Sequence, residues 1–159
     1  MLTRFNFINC IAIINIIVAI EIFLFWLGFY TEFIFPIDIL APRIENFEGY
    51  YAWETSFTLP DFMLAAATLY AATRLLKDNH DRLSKTMLAS CAGGMMFLGV
   101  LDFSYDAFHG MYGLDHIFSY LLMSIGIGLP LLGAITIWVI HKSSKFSVVT
   151  QLNGFSNKA

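Results

Sequence analysis

The chain has 159 residues, of which 58% are hydrophobic and only 13% charged, with a formal net charge of −3 and a mean hydropathy of +0.69. Soluble domains carry roughly 25% charged residues, so this composition excludes an ordinary soluble globule and points to a bilayer. There is no glycine-rich phosphate loop and no basic stripe for nucleic acid, and the only cysteines, Cys10 and Cys91, form no Cys-x-x-Cys of the kind a thiol oxidoreductase uses.

A membrane span needs about 20 largely apolar residues. Four such segments can be drawn, from Phe7 to Phe29, Thr58 to Leu76, Thr86 to Phe108 and His116 to Ile140. They predict an all-α polytopic protein: one domain, a four transmembrane helix bundle, with a long loop over residues 30–57 and a tail over 141–159. The first segment follows Arg4 and invites comparison with a signal peptide. Its apolar run is too long for that, and Tyr30-Thr31-Glu32-Phe33 lacks a small-x-small cleavage pattern, so it is read as a span.

The charges are sorted. Arg4, Arg74, Lys77, Arg82, Lys85, Lys142, Lys145 and Lys158 fall on one side of these spans and only Arg43 on the other, whereas most acidic residues do the reverse. Lys and Arg bias sets orientation. Both termini are therefore expected in the cytoplasm, the 30–57 loop outside, and the protein in a plasma or inner membrane. The expected partners are the lipid bilayer and either a second copy of the chain or a membrane partner subunit, with no nucleic acid. Both cysteines then map to the reducing side, where no disulfide is expected.

In chain order, the first span carries Glu21 roughly 21 Å from its start at 1.5 Å per residue. A carboxylate at such depth is expensive and marks a candidate functional residue. The outer loop contains Pro36 and Pro42, which oppose a continuous helix, and the aromatics Phe33, Phe35, Tyr50, Tyr51 and Trp53. It is expected to lie on the bilayer surface or to cap the bundle, as an interfacial anchor or a gating lid. The second span opens Thr58-Leu59-Pro60-Asp61, read as a cap, a first-turn proline and a dipole-complementing acid. Ala65, Thr68 and Ala72 follow on the same stripe, which should face the bundle. The polar hairpin Lys77 to Arg82 leads to the third span, where Gly93, Gly94 and Gly99 signal close helix approach. The fourth contains Gly126, Gly128, Pro130 and Gly133, a pattern that predicts a kink.

The chemistry-bearing residues gather near the outer ends. Asp102, Asp106 and His109 share one face of the third span, Tyr105 borders it, and Asp115 and His116 follow across a short turn. Asp106, His109 and His116 offer the mixed oxygen and nitrogen donors that suit Zn, Mn or Fe; the bland alternative is that they cap helix ends. Asp102 lies at a depth comparable to Glu21, so the two form a candidate acid/base or proton/cation pair. Glu54, Asp61, Trp53 and Tyr105 are candidate ligand-binding residues beside it. Packing of the face Cys10, Ile14, Ile17, Glu21 and Gly28 on the face Cys91, Met95, Leu98, Asp102, Asp106 and His109 would bring the acids into contact and the cysteines together. His80 and His141 read as polar helix ends.

Three functions fit these residues. The first is an outward-facing cavity of acidic and histidine residues for a cation or a cationic or polar small ligand, as in a transport-related protein. The second is a membrane-embedded enzyme using Glu21 and Asp102 on a lipid or other apolar substrate, and the third is a structural or assembly subunit of a membrane complex.

Overall fold

A computed structural model of the chain describes the backbone of residues 7–78, 81–113 and 116–156, and side chains as far as Ser143. The described residues are helical, without strands: α1 (Phe7–Tyr30), α2 (Ile37–Leu40), a 3₁₀ turn (Ala41–Arg43), α3 (Phe47–Ser56), α4 (Thr58–Lys77), α5 (Arg82–Phe108), a second 3₁₀ turn (Met111–Gly113) and α6 (Ile117–Ser156). Asp115 and His80 lie outside the described residues.

Three helices are long and apolar enough to cross a membrane: α1, α5 and the Ile117–Ser143 part of α6. The third lies within a helix that continues to Ser156, so the segment drawn as a tail begins as helix. The segment drawn as a second span is helical as well, but α4 is not among the three. Pro60, Asp61, Thr68, Thr73 and Arg74 dilute its apolar content. It nevertheless packs between α1 and α5, while α5 packs along α6 and α6 returns to touch α1. The stripe Ala65, Thr68 and Ala72 is fully buried, as its spacing implied.

Two apolar clusters hold the helices. At the hairpin end, Ile8, Ile11 and Ala12 of α1 meet Ala71, Ala72 and Leu75 of α4, Leu88 of α5, and Val139 and Ile140 of α6. Just beyond this cluster, the Asn15 side-chain amide donates to Thr136 Oγ1 at 3.0 Å and to the Ile11 carbonyl at 2.8 Å, tying α1 to α6. At the opposite end, Trp26 and Phe29 of α1 pack with Phe35, Leu40, Ile44 and Tyr50 of the 30–57 loop and with Met111, Phe118 and Leu122. The loop is thus a cap whose Phe35 and Tyr50 are core residues, with rings 6.0 Å apart and Phe35 edge-on to Phe118 at 4.9 Å. Asn46, in the left-handed conformation at φ 55°, starts α3 by accepting from the Gly49 amide at 3.4 Å.

Thr58 does not cap α4. Its hydroxyl donates to the Thr55 carbonyl at 2.9 Å, and α3 runs into α4 through Phe57 alone, whose backbone (φ −86°, ψ −10°) stays near helical values. At the hairpin, Asp81 caps α5 through the Leu83 amide and the Ser84 hydroxyl and pairs with Arg74 at 2.9 Å.

Close approach of α5 and α6 depends on missing side chains. A Cβ at Gly99 would sit 2.5 Å from Pro130 Cδ, and one at Gly133 would sit 2.5 Å from the Ala92 carbonyl oxygen. Gly93 faces open space instead, and Gly94 meets only the Leu64 side chain. The helix passes through Pro130 without ending, its ring filling the notch that Gly99 leaves. Gly133→Ala is therefore expected to destabilise the protein by about 1–3 kcal/mol, because a backbone oxygen cannot yield as a side chain can. Gly93→Ala, with no neighbour to meet, is expected to be neutral or slightly stabilising; thermal unfolding of both variants in one detergent checks the contrast.

Candidate functional site

Between the two clusters the helices border a cavity of about 740 Å³. Its walls come from a stripe of α1 (Ile14, Val18, Glu21, Phe25), the first turns of α4, Leu98 and Asp102 of α5, and α6 from Leu121 to Leu132; Glu54 of α3 reaches in from the cap. The Asn15–Thr136 bridge stands at its hairpin end, next in sequence to the wall residue Ile14.

Four carboxyl groups line this space, those of Glu21, Glu54, Asp61 and Asp102, and no Lys, Arg or His is among the wall residues. The remaining wall is mostly aliphatic and aromatic. Two of the acids are held by hydrogen bonds, Glu54 and Asp61. Glu54 is 7% exposed and accepts a hydrogen bond from the Tyr50 hydroxyl at 2.5 Å. Asp61, in the first turn of α4, accepts from the Trp26 indole at 3.0 Å. Asp102 projects from α5 one turn before Asp106. Glu21 is exposed, so it lines the cavity at its edge.

The packing expected between the Glu21 and Asp102 faces does not occur. Helix α1 packs along α4 and touches α6, and its residues Ile14, Ile17 and Glu21 are exposed. Its buried face is instead Ile8, Ile11, Asn15, Ala19, Trp26 and Phe29. Glu21 and Asp102 consequently belong to two walls of one cavity and not to a packed helix pair. Cys10 and Cys91 are free thiols.

The Asp106, His109 and His116 set is not assembled either: among the described residues no group of three or more His, Cys, Asp or Glu is placed to hold a metal ion. Asp106 is 2% exposed and its Oδ2 has no partner. His109 is exposed, stacked on Tyr105 at 4.0 Å, with Nδ1 2.8 Å from the Tyr105 carbonyl. His116 Nδ1 accepts the Phe118 amide at 3.1 Å, satisfying a free N–H at the start of α6. Trp53 also stacks on Tyr105, ring to ring at 4.2 Å and 7° from parallel. Trp53 and Tyr105 therefore buttress the cap and are absent from the cavity wall. The sequence reading missed the role of Tyr50, which sits one turn before Glu54 and so was within reach of a helical spacing argument. It also missed Trp26 as the partner of Asp61, a contact between distant segments with no local signal.

No protein-family model, curated protein or solved structure matches this chain.

Burial pushes the Glu54 carboxyl up to about 7 from its ordinary 4.5, assisted by the nearby Asp106 and Asp61 and opposed by the hydrogen bond from Tyr50. Tyr50 is itself raised, first by burial and then by the neighbouring acids. The folded protein thus keeps a proton on Glu54 where an unfolded chain has lost it. Stability linked to this group is full below pH about 4.5 and is lost as pH rises through about 7. The melting temperature in detergent is expected to fall between pH 5 and pH 8, and Glu54→Gln, which keeps a neutral group in place, should give a shallower fall; identical slopes would refute the assignment.

Proposed function

We propose that this chain is a small multi-pass membrane protein that binds a cationic organic ligand in the cavity between its helices. The observation that carries this reading is the wall composition: four carboxyl groups and no basic side chain around a mostly apolar space. Uncompensated carboxylates away from water are costly, and a bound cation offsets that cost. A volume of about 740 Å³ lies within the roughly 300–1,000 Å³ typical of small-molecule sites. It also exceeds what a bare ion needs. Phe25, Trp26 and Phe57 on the same wall offer ring faces of the kind that attract organic cations.

In this reading α4 is the fourth crossing, since it lies between α1 and α5 for its length, and the Lys- and Arg-rich hairpin end faces the cytoplasm. The acidic cavity then lies toward the opposite side of a plasma or inner membrane. The cluster at the hairpin end closes the bundle below the cavity, which suits binding from one side, as a receptor or one state of a transport-related protein requires.

Tetraphenylphosphonium, a lipophilic cation, is the probe. Equilibrium binding to the purified protein is expected, with at least tenfold weaker affinity in the Glu21→Gln, Asp102→Asn double variant and no binding of the anionic isostere tetraphenylborate. Equal affinity of wild type and double variant would overturn the reading.

A further inference from the structure

Helices α1 and α6 are held together toward both ends. Asn15 meets Thr136 near the hairpin end, and at the other end Trp26 and Phe29 share the cap cluster with Phe118 and Leu122. Between these contacts, Glu21 of α1 and Ser124 and Gly128 of α6 line the cavity and are at the same time exposed. A Cβ built on Gly128 meets nothing within 4 Å. The cavity is therefore open along the seam between the two helices.

The surroundings of this opening are apolar. Ile17, Ile20 and Leu24 on α1 and Ile127 and Leu131 on α6 are exposed, with Leu24 at 56% and Leu131 at 58%. Both helices are among those long and apolar enough to cross a membrane. Ser124 and Gly128 lie roughly 10 and 16 Å along α6 from Ile117, and Glu21 roughly 14 Å from the Tyr30 end of α1. With a hydrocarbon core of about 30 Å, these depths put the seam beside lipid tails. At the cap end, by contrast, the route is covered by Phe35, Leu40 and Tyr50, all 1% exposed or less.

We propose that ligands reach the cavity sideways from the bilayer, through the seam between α1 and α6, and that the ligand is accordingly a membrane-partitioning amphiphilic cation with an apolar body. This rests on the cation-binding reading above. Glu21 stands at the threshold, where it meets the charged head first, and Glu54, Asp61 and Asp102 lie farther in. The aliphatic wall of α6 receives the apolar body. Its amphiphilic character follows from the route: a strongly hydrated cation does not dissolve in the hydrocarbon from which the seam opens.

The test uses Ser124→Cys in a Cys10→Ala, Cys91→Ala background, reconstituted in lipid nanodiscs so that both faces meet the bulk solution. N-phenylmaleimide, which partitions into lipid, is expected to label the thiol, while a trimethylammonium methanethiosulfonate, which stays in water, leaves it unlabelled. Rapid labelling by the charged reagent, or labelling by neither, would overturn the seam as a lipid-side route. In a second measurement Gly128→Trp fills the opening without meeting a neighbouring atom in its first carbon. Its association rate for tetraphenylphosphonium is expected to fall at least tenfold while the circular dichroism and melting temperature match wild type; an unchanged rate overturns the proposal. The two readings fail separately. Absence of tetraphenylphosphonium binding in the wild type strikes the cation site, whereas the thiol labelling judges the route without any ligand.

Discussion

Backbone-to-backbone contact between α5 and α6 is the constraint around which the rest of the bundle is arranged. Where Gly99 admits the Pro130 ring and Gly133 admits the Ala92 carbonyl, the two helices lie closer than side chains would allow. In hydrocarbon, where the hydrophobic effect does little to drive helices together, such dispersion contacts are a principal source of association. Small residues also bring α4 into the bundle, through Ala65, Thr68 and Ala72. Helix α1 has large residues on both its buried and its exposed faces. It packs extensively on α4 but sparsely on α6, and the cavity lies beside it.

That volume is electrostatically one-sided. Asp61 and Glu54 each receive one neutral donor, Trp26 and Tyr50 respectively. Neutral donors soften the desolvation of a carboxylate without cancelling its charge. The basic groups lie elsewhere: Arg74 pairs with Asp81, Lys85 donates to Ser143, and Lys142 lies over the Trp138 ring. All three belong to the hairpin end. The cavity acids and these three bases thus lie toward opposite ends of the folded molecule, with Asp81 at the hairpin and Arg43 in the cap as exceptions.

Much of this architecture is legible in the amino-acid sequence. Apolar run lengths located α1, α5 and α6, and the spacing of Ala65, Thr68 and Ala72 identified the buried side of α4. Glu21, Glu54, Asp61 and Asp102 were singled out by depth and helical position, and all four line the cavity. The failures have physical causes. Equal depth along two helices says nothing about which helices are neighbours, so Glu21 and Asp102 were expected to touch although α4 and α6 flank α1. Residue type does not reveal competition from the backbone, so His116 looked like a ligand when its Nδ1 already serves the Phe118 amide. The 30–57 segment, rich in aromatics and proline, carries no periodicity that distinguishes a surface anchor from a cap. The choice was made by Phe35 and Tyr50 finding places in the core.

The junction at Phe57 gives the cap a mechanical character. Because α3 passes into α4 with a single near-helical residue between them, no slack loop separates the two. Glu54 and Asp61 lie about one turn to either side of Phe57. The spacing of Glu54 and Asp61 is therefore set by the same joint that seats the cap on the bundle.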